Sequence, residues 1–124
     1  MIEDLIMAKK YISKANRASK KGLDFTLTFA QYKRLMSRKT CAYSGLRFSE
    51  INEKRAWKNE WLGLTLDRID NSKGYIQGNV VPVCNGVNQL KGQWENPLLP
   101  FDEKTTIKII TKIMLAKNNL DILD

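Results

Sequence analysis

Apolar positions in the first forty residues recur at helical spacing. Leu5, Ala8, Ile12 and Ala15 form one face of a segment that starts near Glu3, and Gly22 is placed to stop it. A second helix is expected after Thr28, because Thr28-Phe29-Ala30-Gln31 has the form of a capping box. Tyr32, Leu35 and Met36 supply its apolar face, and it should end near Arg38. Cys41-Ala42-Tyr43-Ser44-Gly45 reads as a tight turn, followed by a polar segment to Glu60 that contains Trp57 and Lys58. Trp57 and Trp61 are read as core or lid residues rather than as platforms for stacked bases.

The period changes to two at Leu64-Thr65-Leu66, as in a strand, and Asn71-Ser72-Lys73-Gly74 is a turn signal. Asn79-Val80-Val81-Pro82-Val83 gives a second strand, which should lie at an edge or end at Pro82, since proline has no N–H for a ladder. Asn85 to Lys91 can start a short helix, and Pro97 and Pro100 interrupt it. Asp102 then caps a last helix with Ile107, Ile110, Ile113 and Met114 on its core face. There is no repeat and no low-complexity tract.

Composition narrows the function. The 124 residues fit one domain, and 43% hydrophobic with 9% aromatic residues can fill a modest core. Net charge is +8, and residues 1–58 hold 14 Lys and Arg against five acids, whereas residues 59–124 hold seven against eight. Lys9, Lys10, Lys14, Arg17, Lys20 and Lys21 follow one another with no acid between Asp4 and Asp24. A solvated helix usually mixes signs, so this run is expected to follow a phosphate backbone. No stretch approaches the roughly 20 apolar residues of a membrane span, which predicts a cytoplasmic protein with no membrane partner. In that compartment Cys41 and Cys84 are expected to stay thiols. The chain has no histidine, which removes the usual partner of a nucleophilic cysteine and the usual general base.

The run from Leu64 to Lys91, LTLDRIDNSKGYIQGNVVPVCNGVNQLK, carries further information. With Cys41-Ala42-Tyr43-Ser44-Gly45 as an opening knuckle, it resembles the HNH, or ββα-metal (His-Me finger), endonuclease superfamily over residues 40–92. Asp67-Arg68 stands where the family has an Asp-His pair, Gly78-Asn79 where it has the central Asn, and Cys84-Asn85-Gly86-Val87-Asn88 with Lys91 where it has the closing Cys-x-x-Cys-Asn. The Asp-Arg-Ile-Asp-Asn and Gly-Tyr version is similar to small phage and bacterial HNH-like proteins, which would place it in the cytoplasm of a bacterial host.

The resemblance implies an α+β fold with a small ββα core, a two-stranded antiparallel sheet plus a helix, flanked by N- and C-terminal helices. The organisation expected is a single domain of residues 1–124, with a basic helical part at 1–39, the core at 40–92 and a C-terminal helix at 93–124. It also implies cleavage of DNA, double-stranded by expectation, with one divalent cation, Mg²⁺ or Mn²⁺, held by Asp67 and Asn88. Asp67, Arg68, Asn79 and Asn88 are the implied catalytic set. Lys9, Lys10, Lys14, Arg17, Lys20, Lys21 and Lys91 are the implied DNA contacts.

Two departures from the family change the chemistry. Ser44 and Val87 replace the second cysteine of each knuckle, so a four-ligand structural zinc is not expected. Arg68 replaces the histidine base and stays protonated at any working pH, so it can grip a phosphate but cannot take a proton. The base would then be Tyr43, Asp70 or the ion's own water. The alternatives are a catalytically inactive DNA-binding or host-directed regulatory module and, more remotely, a binder of an acidic protein. Gly74 and Gly78 are assigned to the shape of the loop between the strands, where glycine permits positive φ, with Tyr75 packing beneath it.

Overall fold

The computed structural model describes residues 2–49 and 61–118. Trp57 and Lys58 lie outside the described residues. Among those described the order is α1 (Ile2–Lys20), α2 (Phe29–Met36), β1 (Leu64–Arg68), β2 (Val80–Cys84), α3 (Asn85–Trp94) and α4 (Glu103–Asn118), an α+β arrangement. By internal contacts the chain divides into Met1–Lys91 and Gly92–Asp124.

In the first unit α1 ends at Gly22, whose φ of 70° lets Leu23 N–H reach the carbonyl of Ala18 at 2.9 Å. The capping box of α2 is formed as its sequence requires. Gln31 N–H donates to Thr28 Oγ1 at 3.1 Å, and Thr28 N–H donates to Gln31 Oε1 at 2.9 Å. β1 and β2 pair antiparallel with Leu66 opposite Pro82 and Asp67 opposite Val81. Pro82 does not end its strand. Its carbonyl accepts from Ala42 N–H at 2.9 Å, on the side away from β1, so the missing N–H falls outside the ladder.

The inward face of α1 differs from the expected one. Leu5 and Ile12 are 58% and 57% exposed, while Ala18 is buried and Met7 and Tyr11 pack on the main core of Leu27, Tyr32, Leu66 and Val80. The helix is turned by one position, about 100°. Tyr11 sets this orientation: its ring lies 5.4 Å from each of Phe25, Phe29 and Tyr32, and its hydroxyl donates to the carbonyl of Leu27. The partly buried Tyr11 ring makes aromatic contacts that the aliphatic rival face has no side chain to make.

A second cluster holds Cys41, Val83 and Cys84, with Phe48, Val81 and Val87 against it. Trp61 is 55% exposed and so is not a core residue. Its backbone and ring instead cover Gly86 at the start of α3, whose N–H donates to the Trp61 carbonyl at 2.8 Å. In the second unit Asp102 caps α4 by accepting from Thr105 N–H at 2.7 Å. Ile107, Ile110, Ile113 and Met114 of α4 are about half exposed, because the unit holds no second layer among its described residues to cover them.

The two loop glycines have different tasks. Gly78, not Gly74, has a positive φ of 90°, whereas a Cβ at Gly74 would stand 2.3 Å from the Asp24 carbonyl oxygen. Tyr75 N–H donates to that oxygen at 2.8 Å, so the α1–α2 connection is pressed against the loop between the strands. Gly74→Ala should therefore lower stability by about 1–3 kcal/mol, the range for overpacking. Gly92→Ala, in a helix with nothing within 4 Å of the added carbon, should raise it by about 0.5–1 kcal/mol. Urea midpoints of the two variants beside wild type check both signs.

Candidate active site

Alternation along β1 sends Leu64 and Leu66 to one face and Thr65 and Asp67 to the other. Asp67 is 5% exposed, and two groups converge on one of its oxygens. Lys91 Nζ lies 3.3 Å from Oδ2, and the Tyr43 hydroxyl makes a long contact of 3.4 Å with the same atom. Lys91 Nζ also donates to the carbonyl of Arg68 at 3.0 Å. Asn88 stands three residues before Lys91 on α3 and therefore on the same helix face. Its Nδ2 reaches Thr65 Oγ1 at 3.4 Å, and the Thr65 hydroxyl in turn donates to the carbonyl of Val83 at 3.1 Å. One face of the sheet thus gathers Asp67, Asn88, Lys91 and Tyr43.

The connection between the strands is held from within by Asn79, which is 6% exposed. Its Oδ1 accepts from Asp70 N–H at 2.9 Å, and its Nδ2 donates to the carbonyls of Asp70 and Gly74 at 3.1 and 2.9 Å. All these partners are loop backbone, a shaping role consistent with a turn asparagine. Asp70 accepts from both the N–H and the hydroxyl of Ser72, at 2.9 and 2.7 Å. Those bonds lower its pKa below the ordinary carboxylate value and make it a weak base.

Arg68 is not placed beside Asp67. Its Nη1 donates to the carbonyls of Asn71 and Lys73 at 2.8 and 3.0 Å, and its guanidinium lies 5.6 Å from the centre of the Tyr75 ring. Adjacent strand residues point to opposite faces, which is why two neighbours in sequence separate in space. The Lys14 ammonium sits 4.9 Å from the same ring, so this cation is half-buried against the loop. With Lys9, Lys10 and Arg17 it walls a cleft of about 540 Å³, closed on the other side by Tyr32, Met36 and Leu64-Thr65-Leu66. Lys20 and Lys21 are exposed and do not line this cleft.

Comparison with solved structures finds the rare-cutting HNH restriction endonuclease PacI, described for its mechanism of DNA perturbation. The TM-score is 0.50 at 22% identity, over 71% of this chain and 64% of that one. The chain has an HNH-like fold. In sequence, the chain is 35% identical over 77 residues to an uncharacterized 29.0 kDa protein of Enterobacteria phage T4. It is also 34% identical over 86 residues to an uncharacterized protein of Acanthamoeba polyphaga mimivirus. It spans 28% and 14% of the lengths of these two relatives. No family model matches, and among the described residues no helix is long and apolar enough to cross a membrane.

The described residues contain no group of three or more His, Cys, Asp or Glu side chains that could hold a metal ion. Carboxylate and amide oxygens on this face of the sheet come from Asp67 and Asn88. These are hard oxygens that suit Mg²⁺ or Mn²⁺, ions that keep several waters and are completed by substrate phosphate. The sequence assigns Lys91 to DNA alone and gives Thr65 no task, yet both stand at the carboxylate's face. The three-residue spacing of Asn88 and Lys91 puts both on one helix face, and the two-residue spacing of Thr65 and Asp67 does the same on the strand.

At the knuckle, Ser44 N–H donates to Cys41 Sγ at 3.4 Å, and Cys41 and Cys84 are buried in one cluster. Burial pushes the Cys41 thiol up. The Ser44 hydroxyl and the N–H groups of Ser44, Cys84 and Tyr43 outweigh burial and bring the pKa down from 9.0 to about 7. A thiol whose folded pKa is depressed adds stability that is present above its unfolded pKa and lost as pH falls through the folded one. Stability should thus rise between about pH 7 and about pH 9. Urea midpoints across that window should climb for wild type and stay flatter for Cys41→Ser.

Proposed function

We propose that this protein is a metal-dependent DNA endonuclease of HNH-like type that hydrolyses phosphodiester bonds without a histidine base. One observation carries the reading: a carboxylate buried at the end of β1 in an HNH-like fold, with an amide, an ammonium and a phenol gathered on its face. Residues 40–92 are the cleaving core, residues 1–39 the basic part that anchors flanking duplex, and residues 93–124 the part that carries the C-terminal helix α4.

Asp67 and Asn88 would hold one Mg²⁺ or Mn²⁺, which when bound would polarise a phosphoryl oxygen and offset charge on the leaving oxygen. Tyr43 would receive the proton of the attacking water as a phenolate, once its own hydroxyl proton has passed to solvent. Its hydroxyl is at the Asp67 carboxylate, whereas Asp70 is weakened as a base by Ser72. Arg68 stabilises charge on the phosphate: among the described residues, loop carbonyls take Nη1 of a guanidinium that carries five N–H donors. Asn79 keeps the loop in shape. Lys9, Lys10, Lys14 and Arg17 in the cleft, with Lys20 and Lys21 beyond it, follow the backbone of double-stranded DNA, and Lys91 reaches a phosphate near the ion.

A second reading keeps DNA binding and drops cleavage, in a host-directed regulatory module. The Lys91 ammonium on Asp67 and the turning of Arg68 toward the loop favour it.

Supercoiled plasmid with Mg²⁺ or Mn²⁺ separates the two. Wild type should nick, Asp67→Ala should not, and Tyr43→Phe and Arg68→Ala should each lose on the order of 10²–10³ in rate with DNA affinity within a few fold. Equal nicking by all four would indicate a contaminant, and no nicking by wild type would leave the binding module. In gel shifts, Lys10→Ala and Arg17→Ala together should weaken binding to unrelated duplexes and flatten the salt slope by about 0.9 for each phosphate no longer neutralised.

A further inference from the structure

The ion pair at the centre of the site raises a problem that the proposed reaction must solve. Lys91 Nζ lies 3.3 Å from Asp67 Oδ2, with side chains only 15% and 6% exposed. A divalent ion bound to the same oxygen would sit about 2.0–2.1 Å from it. Two cations would then face each other across a poorly solvated carboxylate, where like charges repel far more strongly than in water. The ammonium and the metal are therefore competing occupants of Asp67.

We infer that Lys91 is a displaceable counter-ion that closes Asp67 to metal until a DNA phosphate draws the ammonium away, so that metal loads after DNA. This rests on the nuclease reading above and assigns Lys91 a positioning role within it. Three features support the order. The ammonium has contacts on the Asp67 carboxylate and on the Arg68 carbonyl at 3.0 Å, so without DNA it compensates a buried charge that is costly to leave alone. It sits on a flexible four-carbon stem and is a strong phosphate ligand, so a nearby phosphate offers an alternative partner of equal or greater charge. Asp67 and Asn88 supply only two protein oxygens, so an ion gains most of its remaining non-water ligands when the phosphate arrives. The same event thus frees the carboxylate and completes the coordination.

The test measures Mn²⁺ binding by the decrease of the free-ion electron paramagnetic resonance signal, with and without a phosphorothioate-linked duplex that resists cleavage. Wild type should bind Mn²⁺ weakly alone and at least about tenfold more tightly with duplex, within the usual range of coupling between sites. Lys91→Met, which keeps most of the stem, should bind Mn²⁺ about tenfold more tightly than wild type without duplex, and the gain on adding duplex should shrink. Lys91→Arg keeps the charge and should stay as weak as wild type without duplex, which provides a folded comparison should Lys91→Met be unstable. Unchanged or weaker Mn²⁺ binding by Lys91→Met, or tighter binding by Lys91→Arg, overturns the gate. If no form binds Mn²⁺ even with duplex, the metal reading falls together with the gate. If Mn²⁺ loads in the expected order while wild type fails to nick plasmid, the nuclease reading falls and the gate stands.

Discussion

The amide of Asn79 bonds three backbone groups of the loop between β1 and β2, and most of the site's geometry follows from those bonds. The loop leaves β1 directly after Arg68 and returns one residue before β2. The Gly74 carbonyl, which is buried, would lose this partner if the amide were removed, at about 1–3 kcal/mol. The bonds pull Asp70 and Gly74 toward one another, and Gly74 then meets the Asp24 backbone so closely that no side chain fits. Tyr75, fixed beside it, receives Lys14 from α1 and Arg68 from β1 near its ring. The basic helix and the site loop are thereby held in one body.

Electrostatics on the two faces of β1 differ in kind. On one face Asp67 carries a buried negative charge compensated by a single ammonium. On the other, the guanidinium of Arg68 is compensated by carbonyl dipoles and a ring rather than by an acid. A histidine in that position would titrate near neutrality and could relay a proton, whereas an arginine fixes a positive charge at any working pH. In the proposed reaction, proton transfer without histidine would fall to an oxygen acid, and the Tyr43 hydroxyl lies 3.4 Å from Asp67.

Much of the fold is legible in the sequence because its signals are local. The Thr28 capping box, the Gly22 stop, the period-two strands and the Asp102 cap each depend on a few adjacent residues and appear where those residues stand. The face of α1 is not legible, since Leu5-Ala8-Ile12-Ala15 and Met7-Tyr11-Ala18 are both helical stripes. The choice between them rests on Tyr11 meeting three rings distant in sequence. Gly74 is ambiguous for a similar reason: glycine serves positive φ and close approach alike, and only the position of Asp24 distinguishes them. At the site, motif order marks Asp67 and Asn79, but it pairs Arg68 with its neighbour in the chain although strand alternation separates them. That Lys91 reaches Asp67 depends on how α3 lies against β1, which no spacing within either element specifies.

Among the described residues the sheet has two strands, so there β1 is paired along one side only. An unpaired strand edge is a template on which another chain can build, and small β proteins need some means of discouraging that. Here Leu64-Thr65-Leu66 line a cleft whose opposite wall is Lys9, Lys10, Lys14 and Arg17. A second copy of this +8 chain that brought a strand to the opening would bring its own cations against these. The arrangement that makes the cleft attractive to a polyanion therefore also guards it against self-association, and crowding of many copies along one nucleic acid would be the circumstance in which that guard is most screened.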